Sequence, residues 1–397
     1  MTNALAVDAS RPLEGNPSKA DRFEQVGLAA LYGVAGALQF SIAAAQIFLT
    51  LALLCWFAVL VIRRERFEAP SFFWPLVAYA AVTLVATAFS PDTRISLTAC
   101  KQLVLFLLVP AVCRFVRGTR GPLLMTIAVT CAAASAAFGI FQYAVLHFDH
   151  LGQRPTGMLG HWMTYSGLLM LVVSIAMARV LFGRGGRTWA AMVIPALVVA
   201  VAVTFTRSAM IGMCAAAALL FSLKDLRLFA VLPIVAAVFV LVAPPKLTQR
   251  FVSTFDLKDP TNHDRLVMMR VGQGMIASHP LTGVGPNMVG PLYTEYRGPD
   301  ATGKVNPHLH NVPLQIAAER GLPALAVWVW FVFVLVRDTW RRFKNGTDRF
   351  LAAASLACTT ALLTAGLFEY NFGDSEVLML FLIVITLPFA ADRAVTA

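Results

Sequence analysis

Apolar residues run along this chain in long blocks rather than in alternation. Twelve blocks can be drawn, at 25–40, 42–62, 72–89, 96–116, 122–146, 161–182, 188–205, 207–223, 226–243, 321–337, 349–368 and 375–391. Their lengths suit helices crossing roughly 30 Å of hydrocarbon. Residues 25–62 form one run too long for a single crossing, and the polar Gln39 and Ser41 divide it. Alternating short strands are absent, so a transmembrane β-barrel is excluded. The pattern predicts an all-α integral membrane protein with about 12 transmembrane helices.

One stretch breaks the pattern. Residues 243–311 hold Lys246, Arg250, Lys258, Arg265, Arg270, Arg297 and Lys304, and end in the cluster His308-Leu309-His310-Asn311. Within it, 264–278 has helical periodicity through Leu266, Met269, Gly272, Met275 and Ile276, with Asn262 or Asp264 as a cap. A turn of Pro and Gly follows at 279–287, and 311–319 starts a helix toward Gly321. The expected organisation is a disordered cytoplasmic tail at 1–24, membrane helices one to nine over 25–243, and a catalytic outer loop with short helices at 244–320. Helices ten to twelve then cover 321–391, with a cytoplasmic tail at 392–397.

Composition agrees: 58% of residues are hydrophobic and 13% charged, against roughly 45–50% and 25% in soluble domains. The net charge is +11, and its distribution orients the chain. Arg63, Arg64 and Arg66, then Arg114, Arg117 and Arg120, then Arg179, Arg184 and Arg187, then Lys224 and Arg227, then the series Arg337 to Arg349 all fall in alternate loops. The other short loops hold only Arg94, Arg154 and Arg207. By the positive-inside rule the basic loops and both termini are cytoplasmic, and the long loop faces outward. No ATP is available there, so any chemistry uses an activated donor. The six cysteines all lie in apolar segments and suggest no disulfide or zinc framework. No nucleotide-binding glycine motif or nucleophile elbow occurs, and no nucleic-acid partner is expected.

The chemistry-bearing candidates gather on the outer side. His308 and His310 can each accept a proton near neutral pH. Two imidazoles two apart on an extended segment should point to opposite faces, so no joint metal site is expected. Arg207 stands between two apolar blocks with no real loop, where an unpaired charge is costly. Arg154, Arg265 and Arg270 join it as guanidiniums able to grip phosphate oxygens. Lys101, inside the fourth block, raises the same question. Arg154-Pro155-Thr156-Gly157 with His161 makes a polar wall or an ordinary turn. Outer acidic residues are sparse, which favours metal-independent chemistry, and Glu369 at a helix end could orient a histidine or an arginine.

The ordered set Arg265, Pro280-x-x-Gly283-x-Gly285, His310-Asn311, Leu314-Gln315 and Glu319-x-Gly321 resembles the O-antigen ligase/polymerase superfamily. Arg154-x-Thr156-Gly157 and Arg207-Ser208 match two further features, so the motif part covers 154–321. The resemblance implies a glycosyltransferase-C-like fold in the bacterial inner membrane and transfer at the periplasmic face. The implied donor is undecaprenyl-pyrophosphate-linked O-antigen, and the acceptor is lipid A–core. Implied too is a metal-independent, inverting reaction without cofactors. His310, or His308 in its place, would be the catalytic base. Arg207, Arg265, Arg154 and Arg270 would hold the pyrophosphate, with Asn311, Gly283, Gly285, Glu319 and Glu369 in support. A single long outer loop favours a ligase over a polymerase, and a transporter for the same lipids is the competing class.

Overall fold

Each apolar block folds as a helix in the computed structural model, which describes residues 18–242, 248, 260–299, 303, 305–346 and 348–391. In chain order the helices are α1 (Lys19–Ala37), α2 (Ile42–Arg63), α3 (Phe73–Ala88), α4 (Thr93–Ala99) and α5 (Leu108–Phe115). A 3-10 segment, Cys100–Leu107, joins the last two into one rod. Then follow α6 (Arg120–Ala144), α7 (Trp162–Phe182), α8 (Arg187–Val203), α9 (Arg207–Lys224) and α10 (Val231–Val242). The polar stretch contributes α11 (Pro260–Ser278) and α12 (Val289–Tyr296), and the chain closes with α13 (Val312–Asn345), α14 (Arg349–Gly366) and α15 (Ser375–Ala391).

Local chemistry sets the boundaries. Ser41 accepts from the Ala44 amide and caps α2, so the long apolar run does divide where its polar residues stand. Residues 19–24 are helical rather than tail: Ser18 and Asp21 form a reciprocal capping box that starts α1 at Lys19. Positions 1–17 and 392–397 lie outside the described residues, as does most of 243–259.

Among the described residues seven helices are long and apolar enough to cross a membrane, and three shorter apolar helices (α3, α8 and α15) accompany them. The expected count of twelve is thus reduced to seven by length and composition. One reason is visible in α1, whose first turns carry Lys19, Asp21, Arg22 and Glu24. The architecture is that of an all-helical integral membrane protein. Helices α7, α14 and α15 form its centre and are buried along most of their length. Apolar side chains such as Ile47, Leu54 and Phe57 of α2 and Met192 of α8 face outward.

The two ends of the bundle differ in chemistry. At one end Arg114 pairs with Glu65 at 2.6 Å and with Glu24 at 3.0 Å. Arg63 pairs with Asp21 and Glu24, Arg179 packs 4.7 Å from the Phe350 ring, and Arg342 lies 4.3 Å from Phe389. The basic loops therefore meet at this end. The polar stretch sits at the opposite end, where it builds a second, smaller core from Val267, Met268, Val271, Met275, Val284, Met288, Tyr293 and Leu309.

That small core corrects the expected register of α11. Leu266 and Met269 are exposed, and Val267, Met268 and Val271 face inward with Met275. Gly272 lies against Leu309 and Leu314, and this close approach decides which face is buried. The helix also begins at Pro260, upstream of both expected caps, with proline in the first turn where its missing N–H is harmless.

Helix α13 is broken at Gly321, with φ 80° and ψ 170°. A break inside a buried helix strands carbonyls that hydrocarbon cannot solvate. The Pro/Gly turn satisfies them. Val284 N–H donates to Ala318 O at 2.8 Å, Gly285 N–H to Glu319 O at 2.9 Å, and Leu322 N–H to Pro280 O at 2.8 Å. Both partners need glycine: Gly283 has φ +67°, and a Cβ there would overlap the Glu319 carbonyl, while one at Gly321 would overlap that of Leu281. The left-handed backbone alone makes a side chain unfavourable by about 1–3 kcal/mol, and overlap with backbone adds to it. Gly283→Ala should therefore lower the melting temperature well beyond Gly160→Ala, whose φ is +79° but whose Cβ meets nothing. Equal shifts in a detergent melt would contradict the interlock.

Candidate functional site

Beneath the small core lies a cavity of about 490 Å³. Its wall includes Lys101, Gln102, His161, His308, Gln315, Glu319, Arg320, Glu369, Tyr370 and Asp374. Residues from the α4–α5 rod, the start of α7, the loop before α13 and the α14–α15 turn thus meet in one polar chamber.

His310 is held from both sides. On one side Leu309 is buried in the small core, and its N–H donates to Gln315 Oε1 at 2.6 Å. On the other, Asn311 caps α13 by accepting from Leu314 N–H at 2.9 Å, and its amide donates to Leu367 O at 3.0 Å. His310 itself has φ +48°, a left-handed backbone rare outside glycine. This kink overturns the expectation of opposed imidazoles: the two rings lie 4.5 Å apart between centroids. His310 Nδ1 is 3.0 Å from both oxygens of Glu369, and His308 Nε2 is 3.6 Å from Oε1.

Glu369 is almost fully buried, in the turn after α14. The turn is tied down at Leu367 O by Asn311 and at Phe368 O by Arg265 Nη2, at 3.1 Å. Burial works to raise the carboxyl pKa, but the hydrogen bond with His310 and the nearby imidazoles outweigh it and hold the group below the usual carboxylate range. His308 moves down as well, chiefly because burial disfavours its charged form and then because His310 is close, with Glu369 opposing. At neutral pH His308 is therefore an uncharged imidazole. A carboxylate accepting Nδ1–H of His310 leaves Nε2 of that ring as a proton acceptor, the logic of a carboxylate-oriented general base.

The polar run along α13 is a hydrogen-bond chain. Gln315 Nε2 donates to Glu319 Oε1 at 2.8 Å, and Arg320 Nη1 donates to Glu319 Oε2 at 2.7 Å. Arg320 is 5% exposed, lies 5.9 Å from the Tyr79 ring, and keeps its Nε buried without a hydrogen-bond partner.

The expected arginine clamp is not what lines the chamber. Arg154 donates to Leu151 O at 3.0 Å and stacks 4.9 Å over Trp162, whose neighbour His161 does reach the wall. Arg265 braces the Glu369 turn, and Arg270 is exposed further along α11. Arg207 is buried in the first turn of α9. Gly212, five positions on, faces Ala361 and Ala365, so Arg207 lies toward the Gly366 end of α14. The cations in the wall are Lys101 and Arg320. Lys101 was legible as a charge inside an apolar block. Arg320 was missed because it hides between two motif residues, Glu319 and Gly321. Gly283 and Gly285 act through the backbone, shaping the interlock with α13.

With this geometry in place, the comparisons can be read. Residues 190–329 match the family model described as O-Antigen ligase. Over that stretch the chain is similar to O-antigen ligases. No curated protein matches it. The matched stretch contains Arg207, Arg265, His308, His310, Glu319 and Arg320, while Lys101, His161 and Glu369 reach the chamber from outside it.

The buried Glu319–Arg320 pair makes a stability test. Losing one partner of such a pair typically destabilises by about 3–5 kcal/mol, whereas replacing both with apolar side chains is close to neutral. Arg320→Met should lower the melting temperature markedly, and Glu319→Leu combined with Arg320→Met should recover most of it. Strictly additive losses would show that the two side chains are not coupled.

Proposed function

We propose that this protein is an O-antigen ligase that moves a polysaccharide from undecaprenyl pyrophosphate to lipid A–core at the periplasmic face of the inner membrane. The observation that carries the reading is Glu369, which lines one chamber with His308, Arg320 and Lys101 and is bonded to His310 just behind that wall. The chamber lies at the end of the bundle away from the basic loops, which supports an extracytoplasmic site. A base and an anion-binding wall are the two things such a transfer needs.

In the proposed reaction the acceptor hydroxyl gives its proton to Nε2 of His310. Its oxygen attacks the anomeric carbon as the bond to the pyrophosphate oxygen breaks, which inverts that carbon and releases undecaprenyl pyrophosphate. Glu369 stabilises the imidazolium as it forms. Arg320 and Lys101, both in the chamber wall, neutralise charge growing on the leaving group. Fixed charges in a partly dry site do this without reorganisation, and removing one such donor typically lowers the rate by about 10²–10³. Arg207 and Arg265 add positive charge behind the Gly366–Glu369 turn, and Arg265 positions that turn. Transfer of finished polymer is preferred to chain elongation because only one long outer stretch is present to build the acceptor side.

His310→Ala should reduce ligation of lipid-linked polymer to lipid A–core by about 10²–10⁴, the usual contribution of a general base. Glu369→Gln should lower turnover with little change in KM, and activity should persist in EDTA. Product formation at the wild-type rate by His310→Ala would remove the base assignment. Addition of single repeat units to lipid-linked polymer, with no transfer to lipid A–core, would identify a polymerase instead.

A further inference from the structure

His308 Nε2, His310 Nδ1 and a Glu369 oxygen all lie within 4.8 Å of one another. From sequence spacing alone no zinc site was expected, because the third donor stands far along the chain and the two histidines should have diverged. The left-handed backbone at His310 and the turn after α14 bring the three together. Two imidazoles and one carboxylate are a donor set that suits zinc, and zinc sites with three protein ligands leave the fourth position to water. Arms of about 2.0–2.1 Å in a tetrahedral array place ligand atoms roughly 3.4 Å apart. The separations to Glu369 of 3.0 Å from His310 and 3.6 Å from His308 already bracket that value. Two of the three ligands, His308 and Glu369, also line the chamber.

We propose that His308, His310 and Glu369 form a binding site for zinc, and that zinc there inhibits the enzyme. The inhibition follows from imidazole chemistry. A neutral ring has one N–H and one lone pair. In the arrangement proposed for catalysis Nδ1 of His310 keeps its proton and donates a hydrogen bond to Glu369, so Nε2 holds the free lone pair. Zinc bound at Nδ1 needs that lone pair there, which moves the proton to Nε2 and turns the base into a donor. No proton is lost overall, yet the ring can no longer accept one from a hydroxyl. Zinc also takes the carboxylate that would stabilise the imidazolium. Lys101 and Arg320 in the same wall oppose a second cation, and Arg320 is already engaged by Glu319, so the site accepts one ion. The binding site rests on geometry alone, whereas its inhibitory consequence rests on His310 being the base.

The test separates these two parts. Purified full-length protein in detergent is titrated with zinc against a chromophoric chelator, with no glycan present. One zinc per chain is expected, unaffected by excess Mg²⁺. His308→Ala and Glu369→Gln should each weaken binding by at least about 10–100-fold, the loss seen even for outer-shell partners of metals. Glu369→Gln preserves shape, so an unchanged melting temperature keeps its result interpretable. His147→Ala, in another loop, should bind like the parent. Absence of stoichiometric binding at micromolar zinc, or equal affinity in the Glu369→Gln variant, overturns the site. In a ligation assay, zinc should suppress turnover and EDTA should restore it. Full turnover with zinc bound overturns the inhibition. If zinc binds as described and no ligation is found with any donor, the functional reading fails while the metal site stands.

Discussion

An interrupted helix in apolar surroundings is the constraint on which the site depends. Hydrocarbon and close-packed side chains offer nothing to an unpaired carbonyl, so helix α13 can break at Gly321 only where other backbone completes it. The turn at 280–285 does so with three hydrogen bonds, and in doing so it fixes the outer segments onto the bundle. The break has a consequence for the chamber. It sets Glu319 and Arg320 at the wall on a short helical segment whose other end is capped by Asn311, one residue after His310. His310, its carboxylate partner Glu369 and the buried Arg320 are therefore positioned by one continuous network.

Within that network each motif residue has a mechanical part. Gln315 links the backbone of Leu309 to Glu319, and Glu319 passes the connection to Arg320. Arg265, expected as a phosphate ligand, braces the turn that carries Glu369. The resulting arrangement keeps a carboxylate ionised in a buried place by supplying it with an imidazole N–H, and keeps a neighbouring imidazole neutral by the same burial. The geometry of the candidate site and its stability draw on the same bonds here.

The chemistry of the two ends supports a single direction of work. Ion pairs and arginine–aromatic contacts collect at one end, where Arg114, Arg179 and Arg342 find partners inside the fold. At the other end cations line an open chamber, and one guanidinium nitrogen of Arg320 stays unpaired.

The sequence by itself determined the helical segments, because blocks of apolar residues report burial directly and a polar cap such as Ser41 marks where one helix ends and the next begins. It also singled out the histidine pair, Asn311 and Glu319 as candidates by their order, and Glu369 as a carboxylate able to orient a histidine. It did not reveal that α1 starts at Lys19 or which face of α11 is buried, because caps and weakly amphipathic faces are settled by neighbours. Arg320 stayed hidden for a related reason: a charge inside a helix can point to solvent, lipid or a chamber, and only packing chooses. The convergence of His308 and His310 on Glu369 was decided by tertiary structure alone. It depends on a left-handed residue and on a turn from another helix, and neither leaves a periodic trace along the chain.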